Sequence, residues 1–342
     1  MVLPLSIPSP NSDWQSVNVG DWIRGIGFKA FSFDITIHSY AICILLGIVI
    51  ALVITHLRLT ARGAQPGVVL DVGMWAVVSG IAGARIFHVL THPTDYFGAG
   101  KNLWAVFFVW EGGIAIFGAL IGGAIGAFIA CRISGLRFWS FVDALAPGLL
   151  LAQAFGRFGN YFNHELFGLP TTAWWGLQIE ASNPSFPIGL PAGTLFQPMF
   201  LFEFLWNTAG ALVILYLSKK FTLQWGKTFA VYLIWYGVGR SYFESIRIDP
   251  SLIFWGVRTN IWAAAAAVLL GVIIFVLQSR RHTGLEPSVY LPNRQWTPPA
   301  AVESTDIYSD FDEPEPHGGA NADATEESSD SKMVKSVKSA TS

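Results

Sequence analysis

Seven long apolar runs constrain this chain more than any other feature, because each is long enough to cross the hydrocarbon core of a bilayer. About 20 helical residues span the ~30 Å of that core. Lipid offers no hydrogen-bond partners to backbone groups, so each run must satisfy them within a helix. The sequence therefore predicts an all-α, polytopic membrane protein with seven transmembrane helices, at roughly residues 36–56, 68–90, 113–131, 138–156, 196–217, 228–246 and 257–278. With 52% hydrophobic and 13% charged residues, the composition excludes an ordinary soluble domain.

The positions of Lys and Arg predict how these helices are oriented. Cytoplasmic loops of membrane proteins carry an excess of positive charge. With the N-terminus outside, the basic residues concentrate on the cytoplasmic side, at Arg58, Arg62, Arg132, Arg137, Lys219, Lys220, Lys227, Arg280 and Arg281. The basic residues of the outer segments are fewer and are mixed with Asp. The sequence thus predicts an N-out, C-in protein of the cell membrane.

Composition divides the chain into three parts. Residues 1–34 form a predicted extracytoplasmic lead, and residues 35–283 form the seven-helix membrane domain. Beyond residue 284 there are eleven acidic and four basic side chains, with almost no apolar periodicity. That composition predicts a disordered cytoplasmic tail at 284–342, which is either an interaction segment or a solvated extension. Without the tail, the remaining chain is net basic.

Polar side chains collect toward the predicted outer ends of the helices. A charged side chain at hydrocarbon depth costs about 3 kcal/mol even on lenient insertion scales, so such residues are candidates for function. Arg240 and Glu244 are four residues apart and can pair on one helix face. Such a pair is either an internal salt bridge or, with Tyr236 and Arg247, part of a basic wall for an anionic lipid. The residues delivered to this side are Tyr40, Arg85, Arg157, Glu203, Arg240 and Glu244.

Three glycines in the third run indicate close helix packing. Gly118, Gly122 and Gly126 recur every four residues and therefore share one helix face. Small residues at that spacing let two helix backbones approach each other. We expect a tight crossing of the third helix with a neighbour.

One polar segment resembles a known family signature. Residues 156–165 read GRFGNYFNHE, which is similar to the G-R-x-G-N-F-x-N-x-E motif of prolipoprotein diacylglyceryl transferases. The resemblance extends to Trp110-Glu111-Gly112-Gly113, to Gln197-Pro198 leading into Glu203, and to Tyr236-Gly237-Val238-Gly239-Arg240 followed by Glu244, Arg247 and Asp249. It covers nearly all of residues 35–278.

The resemblance implies a seven-helix membrane enzyme that takes part in bacterial lipoprotein maturation. Such an enzyme transfers the diacylglyceryl group from phosphatidylglycerol to the lipobox cysteine thiol of a prolipoprotein and releases glycerol phosphate. Its partners are phosphatidylglycerol, the prolipoprotein signal peptide and the lipid bilayer, and no nucleic acid is involved. Neither a metal nor a soluble cofactor is required. The active site would face the outer side of the membrane.

The resemblance also assigns roles to individual residues. Arg157 and Arg240 are the candidates for binding the donor phosphate, because a guanidinium group stays ionised and binds phosphate bidentately. Positive charge there also lowers the pKa of an attacking thiol from about 8.5. Glu203 and Glu244 orient the arginines or accept a proton. The remaining predicted lipid-binding residues are Tyr40, Arg85, Asn160, Asn163 and Glu165.

The sequence departs from the family pattern at one position that bears on catalysis. The family commonly has a histidine after the Gly-Gly of the third helix, where this chain has Phe117, which cannot take a proton. His164 and Glu244 are the two candidate replacements for a general base. Alternatively, His164 is a solvated loop residue. The changes at His38 and Gln197 indicate a divergent branch.

Residues 158–195 are too polar and too broken to span a membrane. Trp174 and Trp175 favour the membrane interface, so this segment is predicted to cover the site from the outer side, either as a gate for the signal peptide or as a structural cap. Two other function classes remain open. A lipid flippase or secondary transporter would show internal repeats and a polar path across the membrane. A catalytically inactive lipoprotein-binding scaffold would explain Phe117.

Overall fold

The computed structural model describes residues 6–28, 36–98, 100–249 and 251–297, and its secondary structure is mainly helical. Within these residues there are three short 3-10 helices, at Ser12–Trp14, Leu103–Phe107 and Val109–Glu111. The α-helices are α1 (Val19–Gly25), α2 (Ser39–Thr60), α3 (Val68–Thr91), α4 (Pro93–Tyr96), α5 (Ile116–Ile133), α6 (Phe138–Phe162), α7 (Met199–Lys220), α8 (Lys227–Ile246) and α9 (Thr259–Arg281).

Six of these helices are long and apolar enough to cross a membrane: α2, α3, α5, α6, α7 and α9. This confirms a mostly helical protein with several membrane-spanning candidates. The predicted seventh span, at 228–246, is the 20-residue helix α8, which is not among the six. Its apolar character is diluted because it contains Arg240 and Glu244 together with several Gly, Ser and Tyr residues.

Small residues determine how the helices pack. Helix α3 packs along α5, α2 along α6, and α8 along α9. A Cβ atom added at Gly118 or Gly122 would overlap the backbone of α3 at Ser79 or Gly83, and one at Gly126 would overlap Ser79. The predicted close crossing of the glycine face is therefore confirmed, and its partner is α3.

Helix α6 lies at the centre of the bundle. It contacts α2, α5, α7 and α8, and more of it is buried than of any other candidate span, 56% against 11% for α9. Gly148 on α6 sits so close to Ala51 on α2 that a side chain there would meet the α2 backbone. This central position fixes where the last turn of α6 presents its polar residues.

Short strands fold the connections at the end of the bundle where α6 finishes and α7 begins. Strands β3 (Pro170–Thr171), β4 (Leu177–Gln178) and β5 (Leu195–Phe196) form an antiparallel sheet in the order β3-β5-β4. Ile7 of the lead adds a parallel bridge to Leu177. Phe167, Leu177 and Phe196 are buried in a small core of their own. Residues 158–195 thus end α6 and then fold into a β-containing cap.

Two further pairs of strands flank this cap. Strand β1 (Ser16–Asn18) pairs with β2 (Thr36–His38), directly before α2. Strands β6 (Ile253–Phe254) and β7 (Val257–Arg258) form a hairpin directly before α9. Its two turn residues, Trp255 and Gly256, have φ of 52° and 75°, as a tight two-residue hairpin turn requires.

The first part of the predicted tail packs against the helices. Residues 284–297 form a strap across the other end of the bundle, where Val289 and Tyr290 are buried. The Arg137 N–H donates to the Val289 carbonyl at 2.8 Å, and the Leu291 N–H donates to the Gly135 carbonyl at 2.8 Å. Composition does not predict this strap, because its two buried apolar residues, Val289 and Tyr290, are surrounded in sequence by mainly polar ones. The rest of the predicted tail, 298–342, lies outside the described residues.

Candidate active site

The charged residues of the predicted site meet at one end of the bundle because neighbouring helices run in opposite directions. That end holds the last turns of α6 and α8 and the first turns of α2, α7 and α9. We call the following seven side chains the charged cluster: Arg157, Glu203, Arg240, Glu244, Arg247, Asp249 and Arg258. Four guanidinium groups thus face three carboxylates.

Arg157 joins α6 to α7 through Glu203. Its Nη2 atom lies 2.8 Å from Glu203 Oε2, and the two side chains are 18% and 5% exposed. Its Nη1 atom lies 3.5 Å from Asn160 Oδ1, one turn further along α6. The carboxylate therefore holds one edge of the guanidinium group.

Glu244 is the hub of the cluster and is fully buried. The predicted pair is present, with Arg240 Nη2 2.8 Å from Glu244 Oε2. Arg258 Nε lies 3.0 Å from Glu244 Oε1, and Arg247 Nη1 lies 3.7 Å from Oε2. Asn260 Nδ2 also donates to Oε1 at 2.9 Å. One carboxylate thus positions three arginines.

Asp249 ties the segment after α8 to the hairpin. It accepts two hydrogen bonds from Arg247, at 2.7 Å and 2.9 Å, in the bidentate geometry that makes such pairs strong. Arg258 Nη2 lies 3.4 Å from Asp249 Oδ2. Burial lowers the pKa of Arg247, but the hydrogen bond and charge of Asp249, helped by Glu244 and Glu203, outweigh it and raise that pKa.

The two halves of the cluster interact with each other. The charge of Glu203, on α7, acts on Arg247, and Arg157 lies within electrostatic range of Arg240 and Tyr236 on α8. The cluster is therefore one electrostatic unit with one more cation than anion.

The amide residues of the motif surround the end of α6. Asn160 Nδ2 donates to Glu165 Oε1 at 2.9 Å, and Asn163 Nδ2 lies 3.4 Å from the same oxygen. Tyr40, from α2, places its ring against Gly159, where a Cβ atom would overlap it. Asn160 thus connects Arg157 to Glu165, and Tyr40 lies against the same turn of α6.

Comparison with known proteins identifies the family to which this site belongs. A family model described as prolipoprotein diacylglyceryl transferase matches residues 29–277. The chain belongs to this family. It is 58% identical over 307 residues to a phosphatidylglycerol–prolipoprotein diacylglyceryl transferase of Leifsonia xyli subsp. xyli, covering 87% of this chain and 89% of the relative.

Other relatives have the same name. One from Paenarthrobacter aurescens is 44% identical over 289 residues, covering 82% of this chain and 86% of the relative. Another, numbered 2, from Streptomyces coelicolor is 44% identical over 256 residues, covering 74% and 79%.

His164 of this family member is buried rather than solvated, with 6% exposure. Its Nδ1 atom lies 3.0 Å from Glu180 Oε2 and 3.3 Å from Ser9 Oγ. Its Nε2 atom is buried and has no hydrogen-bond partner among the described residues. His164 has a φ of 53° and lines a polar cavity of about 480 Å³ between the lead and the cap. The solvated-loop alternative is therefore wrong.

Glu180 is the acidic partner of this histidine. Burial raises the pKa of its carboxyl group, but hydrogen bonds from Ser9, from its own backbone and from His164 outweigh burial and lower that pKa. The side chain remains 44% exposed. His164 and Glu180 thus link the cap to the lead.

Arg85 does not join the charged cluster. Its guanidinium group donates to the carbonyls of Ala105, Val106, Gly112 and Gly113 and lies 5.0 Å from the centre of the Tyr96 ring. It therefore organises the loop that connects α4 to α5.

Phe117 takes part in apolar contacts at the start of α5. Its ring centre lies 6.4 Å from that of Phe87 on α3. The position of the family histidine is thus occupied by a ring that packs against another ring.

Sequence reasoning missed the role of Arg258 and Asn260. Both lie within the first four residues of the seventh predicted run, 257–278, and Arg258 counts in the prediction only as an outer basic residue. The turn residues Trp255-Gly256 are the one available signal, because a hairpin there folds Arg258 back toward the end of α8.

Proposed function

We propose that this chain transfers the diacylglyceryl group of phosphatidylglycerol to the lipobox cysteine thiol of prolipoproteins and releases glycerol phosphate. The observation that carries this function is the charged cluster, which has one cation in excess at one end of an apolar bundle, in a chain of the diacylglyceryl transferase family. The excess cation suits the single negative charge of a phosphodiester. The family match favours this reaction over transport.

The reaction places its largest change of charge on the phosphate. The thiolate attacks the glyceryl carbon, the carbon–sulfur bond forms, and the carbon–oxygen bond breaks with its electron pair on the phosphate oxygen. The diester anion thereby becomes a monoester dianion. Arg157 and Arg240 stabilise this growing charge, because each is already oriented by one carboxylate and keeps further N–H groups for the lipid.

Glu244 acts in this scheme by positioning its arginines. Its carboxylate is engaged by Arg240, Arg258 and Asn260, so it is poorly placed to accept the thiol proton. Glu203 pairs with Arg157 alone among the described residues and is the better placed carboxylate. His164 is the other proton acceptor to be tested, although its contacts are with Ser9 and Glu180.

The lipid headgroup is positioned by the residues around the end of α6. Asn160 and Asn163 are fixed by Glu165, and Tyr40 lies against Gly159 next to Arg157. Arg85 contributes by holding the loop before α5, whose residues Trp104, Phe107 and Trp110 are exposed.

We further propose that α8 is the seventh transmembrane helix, that the N-terminus lies outside, and that the charged cluster faces the outer side of the cell membrane. Support comes from the basic residues at the opposite end of the bundle and from the packing of α8 against α6, α7 and α9. The cap of residues 158–195 then lies over the site, where it meets the lead.

The test is transfer of labelled diacylglyceryl from phosphatidylglycerol to a lipobox peptide by the purified chain. Removing a group that stabilises transition-state charge costs on the order of 100- to 1000-fold in rate. We expect that loss in Arg157→Ala and Arg240→Ala, and parental activity in the control Arg281→Ala, an exposed arginine at the end of α9. A folded parent without activity would contradict this function and favour the inactive scaffold or the transporter.

A further inference from the structure

A second cavity lies at the end of the bundle far from the charged cluster. Its volume is about 360 Å³, and it opens between the end of α5, the start of α6, the connection before α8 and the strap of residues 284–297. Arg137 precedes α6 and Arg157 is near its end, so the two sites are separated by roughly 30 Å, at 1.5 Å per helical residue. That distance is about the thickness of the hydrocarbon core.

Aromatic rings and two leucines form the walls of this cavity. The rings belong to Phe128 on α5, Phe138 and Trp139 on α6, and Trp225 before α8. Ile129 and Ile133, next in sequence to the lining residues Phe128 and Arg132, are exposed on α5. An acyl chain that lies along this part of α5 would therefore be close to the cavity.

Two arginines line the cavity, and neither forms an ion pair with any residue the structure describes. Arg132 lies 5.0 Å from the centre of the Phe128 ring, and Arg137 lies 5.2 Å from that of Trp225. The Arg137 Nε atom donates to the Tyr290 carbonyl at 2.8 Å. Arg62, at the same end, differs because it pairs with Glu286. The cavity thus combines apolar walls with cationic groups that have no carboxylate partner.

We propose that this cavity binds a phospholipid with an anionic headgroup, whose phosphate contacts Arg132 and Arg137 and whose acyl chain lies against the aromatic walls. Guanidinium groups bind phosphate bidentately, and basic pockets at the ends of transmembrane helices are suited to anionic headgroups. The lipid is bound here as a structural ligand, because the charged cluster lies at the opposite end of the bundle. This site does not depend on the proposed transferase activity.

The acidic residues beyond 297 are the rival occupant of the cavity. They follow the strap, whose Leu291 lines the cavity. Most of this segment is polar, with Ser, Pro, Asp and Glu, although Ile307, Tyr308 and Phe311 stand among its acids. Both occupants therefore offer negative charge. Lipid is favoured because Ile129 and Ile133, which neighbour the cavity residues Phe128 and Arg132 in sequence, are exposed on a helix apolar enough to cross a membrane.

The experiment is photo-crosslinking with the full chain in phosphatidylcholine nanodiscs. The probe is phosphatidylglycerol with a diazirine in its acyl chain, and phosphatidylcholine with the same diazirine is the comparison. We expect phosphatidylglycerol to label the peptides that contain Phe128 and Trp139, and phosphatidylcholine to label them much less. Equal labelling by the two lipids would overturn the proposal.

Variants separate this site from general attraction to anionic lipid. One basic residue near an anionic surface contributes about a fivefold change in binding, so Arg132→Gln should lower labelling of these peptides by about that factor. Arg132→Lys should retain part of it, and the control Arg281→Gln should leave it unchanged. Unchanged labelling in Arg132→Gln, with a thermal unfolding curve like that of the parent, would exclude the site.

Truncation after Thr297 tests the rival occupant. If lipid fills the cavity, the truncated chain is labelled as strongly as the full chain. If labelling appears only after truncation, the acidic segment occupies the cavity and the proposal is wrong.

Discussion

The two ends of the helix bundle use the same charged residue types in different ways. In the charged cluster, carboxylates bind guanidinium groups, as Glu244 binds Arg240 and Arg258 and Glu203 binds Arg157. At the strap end, carboxylates bind mainly backbone N–H groups. Asp143 accepts from Gly226 and Phe229 at 2.7 Å and 2.9 Å.

Glu286 of the strap combines the two patterns, with a backbone N–H, a hydroxyl group and one arginine as partners. It accepts from the Trp225 N–H at 3.0 Å and from Ser140 Oγ at 2.6 Å, and it also pairs with Arg62. These contacts join the strap to α6 and to two connections between helices, and so stabilise the fold. In the charged cluster, the carboxylates instead hold arginines whose remaining N–H groups can face a ligand. The contrast separates residues that position a reacting group from residues that close the bundle.

The largest expected effect comes from removing the hub of the cluster. Glu244→Ala leaves Arg247 and Arg258 with Asp249 as their carboxylate partner and leaves Arg240 without an ion-pair partner among the described residues. Breaking a buried pair costs about 3–5 kcal/mol, because an uncompensated charge remains. We expect loss of diacylglyceryl transfer together with a lower free energy of unfolding, measured by the transfer assay and by denaturant unfolding in detergent.

The more conservative Glu244→Gln refines this prediction. It keeps the shape and one acceptor oxygen, so the unfolding cost should be smaller while transfer still falls, because the arginines lose their anionic partner. Transfer at the parental rate in Glu244→Gln would show that the cluster does not depend on this charge.

At the strap end, removing a carboxylate should lower stability without lowering transfer. Glu286→Ala removes the acceptor of Ser140 and of the Trp225 N–H and the partner of Arg62. An unsatisfied buried group costs about 1–3 kcal/mol, so the unfolding midpoint should fall. Transfer per folded molecule should match the parent, because the charged cluster lies at the other end. A selective loss of transfer, with stability unchanged, would contradict the separation of the two ends.

The contrast also shows how far the sequence predicts the site. The Arg240–Glu244 pair follows from helical spacing within one element, and the structure confirms it. The predicted gathering of Arg157 and Glu203 rests on topology, since their 2.8 Å contact joins two helices. Spacing could not place Arg258, which reaches Glu244 only because a hairpin reverses the chain.

Burial and polarity explain the other differences. Topology correctly places Arg85 at the same end of the bundle as the site. Its guanidinium group, however, donates to backbone carbonyls of a loop, and no sequence pattern indicates such contacts. Val289 and Tyr290 are too few to register as an apolar run, yet they anchor the strap. Helix α8 is recognisable as a helix, but its charged residues keep it outside the six most apolar helices.

His164 provides a sharper test of which residues belong to the cluster. His164→Asn is the suitable variant, because asparagine tolerates the positive φ of this position. The side chain contacts Ser9 in the lead and Glu180 in the cap, and neither belongs to the charged cluster. Loss of a general base lowers the rate by roughly 100-fold or more, and we expect a much smaller fall in transfer here. A pH profile of the transfer rate provides the check. A large loss that removes the acidic limb of the profile would instead assign His164 as the base.

The smallest expected effect concerns Glu180, the half-exposed counterpart of the buried Glu244. Its pKa is lowered in the folded protein, because the hydrogen bonds of Ser9 and His164 outweigh burial. A carboxylate with a lowered folded pKa stabilises the fold above its unfolded pKa, about 4.3, and this contribution is lost as the pH falls through the folded pKa. Glu180→Gln should therefore lower the unfolding temperature slightly at pH 7, by the equivalent of at most about 1 kcal/mol for so exposed a pair. The difference from the parent should vanish on acidification below the folded pKa.

The variant Ser9→Ala should show part of the same loss of stability. The losses of Ser9→Ala and Glu180→Gln should add up to more than the loss in the double variant, because Ser9 acts through Glu180. If the difference in unfolding temperature between Glu180→Gln and the parent stays constant as the pH falls, Glu180 links the cap to the lead by its shape and not by its charge. Glu180 and Glu244 would then differ in the role of their charge as well as in burial.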